Sequence, residues 1–438
     1  MQTKIFSKIF LFFSLLIFFY VFYKSEIYWN SSLRDYYGKY YIISFTLIGI
    51  SIITFFLNNE FTRYFIIIFT SLISGLYFIE IYLTFFSKGG RIEKQINLYE
   101  KNTGKNYDLR TRFEVYNELK KKYENVSVKV SPRNFLNSEN YFQPLSGLSK
   151  SKTIYCNENG YYLIYESDRY GFNNPDDEWD KEIVDYLIIG DSFAHGACVN
   201  RPNDIASVLR KLSKGTALSL GYSSNGPLLE LATLKEYLNP NVTNILWMYF
   251  EGNDLNDLEI EIKSKLLKNY VIDPKFSQNL KFKQKKIDQI ILKKIEKEKE
   301  EVVKNFKIEF IKFIKLFNLR EMIFFQTNIN IKNQISPNKD FFKIMSRVKN
   351  IAKENNSKIY FIYVPDYYRF VTKYDNSSYT EIKKLVNKLD IPFIDIKEEI
   401  LLNNDNYKDF YPFGMSGHFN EYGYKLIAEK IYKYINLN

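Results

Sequence analysis

The chain has 438 residues, 46% of them hydrophobic and 25% charged, which is enough apolar mass for a sizeable core. Against 50 Asp and Glu stand 61 Lys and Arg, a formal charge of +11. Because Lys and Glu interleave through the C-terminal half and no zinc-finger or RNP-type motif occurs, the excess reads as a basic surface near anionic lipid or acidic glycan, and nucleic acid is set aside as a partner.

Mean hydropathy is only −0.29, yet apolar residues crowd the start of the chain, so a membrane segment followed by a soluble part is expected. In chain order, three windows read as spanning helices: Ile9 to Tyr23, Tyr41 to Leu57 and Tyr64 to Phe86, each mostly Ile, Leu, Phe and Tyr. The second and third approach the roughly 20 residues that cross about 30 Å of hydrocarbon. The first is short, and a signal peptide is its rival. No small-x-small cleavage site follows it and two further spans do, so retention is expected. Glu80 is the sole acid inside these windows; it is expected to face a partner helix or lie near the interface. Three spans put the N-terminus and the large C-terminal part on opposite sides. Lys4 and Lys8 favour an internal N-terminus, while Lys24, Arg34 and Lys39 after the first span and Lys88, Arg91 and Lys94 after the third pull the other way, so charge leaves orientation open.

Residues 91–181 are turn-rich ("PLSGLS", "YCNENGYYLIYESDRYGFNNPD") and read as a linker with short strands leading into the main domain. From 182 to 438 the pattern alternates. Strands are expected at Asp185 to Ile189, Ala217 to Leu220, Ile245 to Phe250, Ile359 to Val364 and Pro392 to Ile396. Helices are expected at about Asp204 to Leu212, Pro227 to Tyr237, Thr380 to Leu389 and Glu421 to Tyr434. That alternation predicts an α/β fold, a parallel sheet flanked by helices with its ligand at the carboxyl ends of the strands. An insertion at about 257–325, with Ile287, Ile291, Ile295, Phe306, Phe310 and Phe313 at broadly helical spacing, is expected to be an amphipathic helix packed on the domain; a lid or a dimerisation helix are the other readings.

The chemistry concentrates at strand ends. "YLIIGDSF" stops abruptly at Gly190-Asp191-Ser192, placing Ser192 just past the first strand of the sheet. A serine nucleophile needs a base, and the chain has only two histidines, His195 and His418. His195 lies one helical turn beyond Ser192, where its ring packs beside the helix. His418 lies in "GMSGHFNEYGYKLIAEKI", on a loop that opens the last helix. "LSLGYSSNGP" and "YFEGNDLNDL" end the second and third strands. Taken in this order, these stretches resemble the SGNH/GDSL hydrolase family: Gly190-Asp191-Ser192-Phe193 its first block, Gly252, Asn253 and Asp254 its third, His418, Asn420 and Gly423 its last. The resemblance covers about residues 182 to 438 and implies a flavodoxin-like sheet with no cofactor. It also implies that Ser192 attacks an ester carbonyl while His418 takes its proton. The oxyanion donors it implies are the backbone N–H of Ser192, a block-two N–H and the side-chain amide of Asn253. Ser224 stands where the family has its block-two glycine, with Gly226 close by. The family's Asp three residues before the histidine is Met415 here. Either a main-chain carbonyl orients the base or a distant acid does, and Asp395 and Asp409 are the candidates. A zinc site from His195, Cys198, Cys156 and His418 lacks ligand spacing, so no metal is expected. Asp191 and Asp254 read as braces, and "SDRYGFNNPD" as either a cleft wall or a turn-rich connection.

The function expected on this resemblance is a membrane-anchored serine esterase or O-acyltransferase acting on an O-acyl group, foremost O-acetyl, of a carbohydrate or cell-surface glycan or its lipid-linked precursor. Membrane lipids and glycan-assembly membrane proteins are the expected partners. The alternative is a catalytically silent fold serving as a binding or assembly subunit, which Met415 keeps in play. If Cys156 and Cys198 pair, the domain faces an oxidising space outside the cytoplasm.

Overall fold

A computed structural model describes residues 2–28, 34–85, 90–136, 142–303, 305–327, 337, 339–371, 376–401 and 406–437. They form two compact units: Met1–Lys88 with Phe310–Ile323, and Gly89–Glu309 with Phe324–Asn438.

The first unit is built on helices α1 (Gln2–Phe22), α2 (Arg34–Thr54) and α3 (Asn59–Phe85). The apolar spans run Thr3–Tyr28, Tyr36–Thr54 and Asn59–Phe85, each long enough to cross a membrane. Phe12, Phe13, Ile42, Ile68 and Phe78 point outward on them. Such outward apolar faces are compatible with membrane anchoring, where a helix satisfies its backbone polar groups internally. Several hydroxyls bond back along their own helix, among them Ser14 Oγ to the Phe10 carbonyl at 2.8 Å and Thr46 Oγ1 to that of Ile42 at 2.8 Å. All three spans start earlier than the expected windows, at Thr3, Tyr36 and Asn59, because helical bonding continues through the polar residues that flank them. Phe86 lies outside the described residues.

The second unit holds two sheets. β1 (Val126–Val128) pairs parallel with β2 (Lys152–Ile154), which pairs antiparallel with β3 (Ile164–Glu166). β4 (Val184–Gly190), β5 (Ala217–Ser219), β6 (Val242–Phe250), β7 (Lys358–Val364) and β8 (Phe393–Asp395) form an all-parallel sheet in the order β5-β4-β6-β7-β8. Counted from β4 this is the 2-1-3-4-5 order of flavodoxin-like winding. Strand side chains alternate between two cores. Leu187, Ile189, Ile245, Trp247 and Phe361 face one, with helices Pro227–Tyr237, Gln284–Val303 and Lys339–Glu354. Tyr186, Ile188, Leu246, Met248 and Ile362 face the other, with helices Ile205–Ser213 and Glu421–Leu437. Cover on both faces explains why the strands are apolar runs rather than alternating ones.

Residues 91–181 hold the expected short strands, β1 to β3, but they are not only a linker: Val126, Val128, Ile154 and Phe172 are buried in the same core as Leu187 and Trp247. The insertion is not one helix on the domain either. Ile287, Ile291 and Ile295 of Gln284–Val303 enter the core, whereas Phe310–Ile323 belongs to the first unit.

Candidate active site

In 2-1-3-4-5 winding the chain leaves the central strands toward opposite faces, which opens a crevice at the carboxyl ends of β4 and β6. Ser192 sits there, 7% exposed, at the start of the short helix Ser192–His195. Asp191 caps that helix, Oδ1 accepting from Phe193 N at 2.8 Å, while Oδ2 lies 3.3 Å from Ser192 Oγ. The turn is tight. A Cβ on Gly190 would lie 2.7 Å from the Met248 carbonyl, and one on Gly221 would collide with the His195 backbone. From the loop side, Ser219 Oγ donates to the Ala194 carbonyl at 2.7 Å and Asn173 Nδ2 to that of His195 at 3.1 Å. The "SDRYGFNNPD" stretch is therefore a brace. Its Asp168 accepts from Tyr170 N, Phe172 N, Asn174 Nδ2 and Trp179 Nε1, and Asn174 pairs with the Ser219 backbone in both directions.

His418 reaches Ser192 from the loop before the last helix, with Nε2 2.9 Å from Ser192 Oγ. Its ring packs against that of Phe193, centroids 5.0 Å apart. Asn420 fixes the loop by accepting from Gly423 N at 2.9 Å at the start of helix Glu421–Leu437. The acid facing the far side of the ring is Glu158, from the loop between β2 and β3: Oε1 is 2.9 Å from His418 Nδ1 and Oε2 accepts the His418 backbone N–H at 2.8 Å. A carboxylate only accepts, so Nδ1 carries the proton and Nε2 of the neutral ring is left to accept from the serine. Burial disfavours the imidazolium, but the Glu158 charge, its hydrogen bond and Asp191 outweigh it and hold the His418 pKa above its ordinary value.

The acids expected at this position are engaged elsewhere. Asp395 Oδ1 accepts from Lys397 N at 2.9 Å and caps the turn after β8, and Asp409 Oδ1 accepts from Asn406 Nδ2 at 2.8 Å. Glu158 was missed because it stands 260 residues from His418 in a stretch without motif or period. Cys156 gave the one clue. It forms a disulfide with Cys198, Cα atoms 5.3 Å apart, which ties the Glu158 loop to the nucleophile loop. Glu158, Cys198 and His418 cluster closely enough to suggest metal ligation. A disulfide sulfur offers no thiolate, however, and the ring's Nδ1 is already on the carboxylate.

His195 is 1% exposed and stacks on Tyr155, centroids 4.8 Å apart. Neither ring nitrogen has a partner among the described residues. Burial drives its pKa down to about 3, so it is a neutral packing residue. Ser224 and Asn253 lie on the loops after β5 and β6, at the same sheet edge as Ser192. Ser224 has φ 61°, and its N–H makes no hydrogen bond among the described residues. Asn253 stands at the N-cap position of helix Asp254–Glu261 with a φ of −148° and makes no side-chain cap; one of its amide N–H groups goes to Asp257 Oδ2 at 3.0 Å. Asp254 Oδ2 accepts from Phe250 N at 2.8 Å and pins the end of β6. Lys129 brings a cation to the block-two turn, its Nζ 2.9 Å from Ser223 Oγ, and burial lowers its pKa to about 8. Sequence reasoning did not single it out.

No family model and no curated protein matches the sequence. Among solved structures, the chain is similar to a protein of the G-D-S-L family from Desulfitobacterium hafniense DCB-2, with 13% identity, a TM-score of 0.32, and 57% of this chain against 98% of that one covered. It is also similar to the acetyl xylan esterase AlAXEase, with 10% identity, a TM-score of 0.29, and 57% against 100% covered.

Proposed function

We propose that this chain is a membrane-anchored SGNH-type serine esterase or O-acyltransferase. The observation that carries the reading is the line Ser192 Oγ, His418 Nε2, His418 Nδ1, Glu158 Oε1, with both links at 2.9 Å. In such a line the Ser192 proton passes to Nε2 as Oγ bonds to the ester carbonyl carbon. The resulting imidazolium, stabilised by Glu158, returns the proton to the departing alkoxide, leaving an acyl-serine and an alcohol. Water, or an acceptor hydroxyl, then gives its proton to His418, attacks the acyl carbon and frees Ser192. Hydrolysis and transfer share the acyl-serine and differ only in that acceptor. The backbone N–H groups of Ser192 and Ser224 and the second amide N–H of Asn253 are the proposed oxyanion donors.

The proposed substrate is an O-acyl group, foremost O-acetyl, on a carbohydrate, a cell-surface glycan or its lipid-linked precursor. Three candidate membrane spans support it, because they keep the site close to lipid-borne material. The disulfide supports a catalytic unit outside the cytoplasm. Met415 favoured the silent-subunit alternative, and Glu158 beside His418 Nδ1 weighs against it. The test sets the two histidines against each other in hydrolysis of an aryl acetate by the purified full chain. His418→Gln should lower turnover by about 10² to 10⁴, whereas His195→Phe, which keeps the ring packing, should retain most of it. A folded His418→Gln protein at parental rate would sink the mechanism.

A further inference from the structure

Glu80 is fully buried in the first unit although it stands on α3, a membrane span. Its partners belong to Phe310–Ile323, the part of the insertion that leaves the catalytic unit. Here a helix, Asn305–Ile314, is followed by a bend and a second helix, Phe317–Thr327. Glu80 Oε1 accepts from Asn318 N at 3.0 Å and Asn318 Nδ2 at 3.1 Å, and Oε2 from Leu319 N at 2.8 Å, so the carboxylate caps the start of the second helix. Tyr77 O–H donates to the Ile314 carbonyl at 2.8 Å and caps the end of the first. Asn318 Nδ2 also donates to Thr84 Oγ1 at 3.0 Å, and Lys315 Nζ to Tyr20 O–H at 2.7 Å. At a bend in water, solvent would satisfy these orphan helix-end groups. Here side chains of the spans satisfy them, which is what a bend needs where water is scarce.

The outward side fits the same environment. Phe310, Ile311, Ile314, Met322 and Ile323 are 47 to 54% exposed. An apolar flank of this size, on a segment packed against membrane helices, has the hydrocarbon beside those helices as its natural cover. Depth follows from where the contacts fall. Tyr20 is near the end of α1, and Tyr77, Glu80 and Thr84 are near the end of α3. Because α1 and α3 run the same way across a three-span bundle, these positions share one membrane face. At 1.5 Å per residue they lie roughly 2 to 12 Å inside the helix ends, the depth at which amphipathic helices sit.

We propose that Phe310–Ile323 is a fourth membrane element, a helix–bend–helix hairpin in the interfacial layer of the bilayer face where α3 ends, its apolar flank in phospholipid acyl chains and its bend clamped by Glu80. Lys312, Lys315 and Arg320 have side chains long enough to reach headgroups from that depth. The chain then passes between membrane unit and catalytic unit three times, after Lys88, Glu309 and Ile323. The inference does not depend on the esterase reading.

The test uses the full chain in phospholipid nanodiscs, its two native cysteines joined in the disulfide. Ile311→Cys is compared with Leu292→Cys, a position 41% exposed on helix Gln284–Val303. A water-soluble maleimide should label position 311 about tenfold or more slowly than 292, and a bimane at 311, not at 292, should be quenched by lipids brominated in the acyl chains. Glu80→Ala should bring the rate at 311 toward that at 292, and Glu80→Gln should do so less, since its amide oxygen still accepts. Equal rates at 311 and 292, or slow labelling without quenching, overturn the embedding. Protection that survives Glu80→Ala in a monodisperse protein overturns the clamp.

Discussion

Glu158 holds His418 through both carboxylate oxygens, one on the ring and one on the backbone N–H, so its charge and its shape can be separated. Glu158→Gln keeps the shape and removes the charge. The base acts only as the neutral ring, and the carboxylate raises the His418 pKa, so the parent loses activity as pH falls through that raised value. Without the charge, the acid limb of kcat/KM should move to lower pH while kcat drops by about 10² to 10⁴. A pH–rate series checks both; a limb that stays in place would make Glu158 a structural prop. At this scale Ser192 and His418 were legible, because a polar triplet ending an apolar run and a histidine opening a helix are local signals. Glu158 was not, because a loop partner is chosen by packing rather than by spacing.

At the scale of elements, the disulfide decides whether that loop stays in place. The β2–β3 connection is short of regular structure, and its paired stretch ends at Cys156 and Leu163. Cys156–Cys198 therefore ties the segment bearing the acid to the one bearing the nucleophile. Replacing both cysteines by serine should cut kcat about tenfold through looser orientation of the base, with KM nearly unchanged. A thiol reagent applied to the denatured, unreduced protein from native membranes should modify neither cysteine. Parental kcat in the double variant would confine the bond to stability, and two reactive thiols would withdraw support for an extracytoplasmic domain. The strands of the main sheet were readable as short branched and aromatic runs, and helix Pro227–Tyr237 begins and ends as expected. The insertion was not, because Ile, Phe and Lys at helical spacing suit a protein core and a lipid interface equally well, and only the contacts of Glu80 separate the two halves.

Across the whole molecule, charge reading left orientation open because basic residues flank both ends of the bundle, and the disulfide supplies an argument that composition lacks. Buried acids crowd beneath the nucleophile turn. Burial raises the carboxyls of Asp191, Glu230, Asp254 and Glu261 above their usual range, and Glu261 still accepts from Gly226, Leu228 and Leu229 N–H groups at the start of helix Pro227–Tyr237. Keeping these acids buried costs stability, which the hydrogen bonds they accept partly offset. The proposed chemistry requires that Ser192 be an activated hydroxyl. The measurement that reaches it most directly is labelling of the full-length protein in native membranes with a fluorophosphonate, followed by mass mapping of the modified peptide. The account predicts one adduct, on Ser192, that is lost in both Ser192→Ala and His418→Gln. A folded parent protein that takes up no label, or labels equally after His418→Gln, would contradict it.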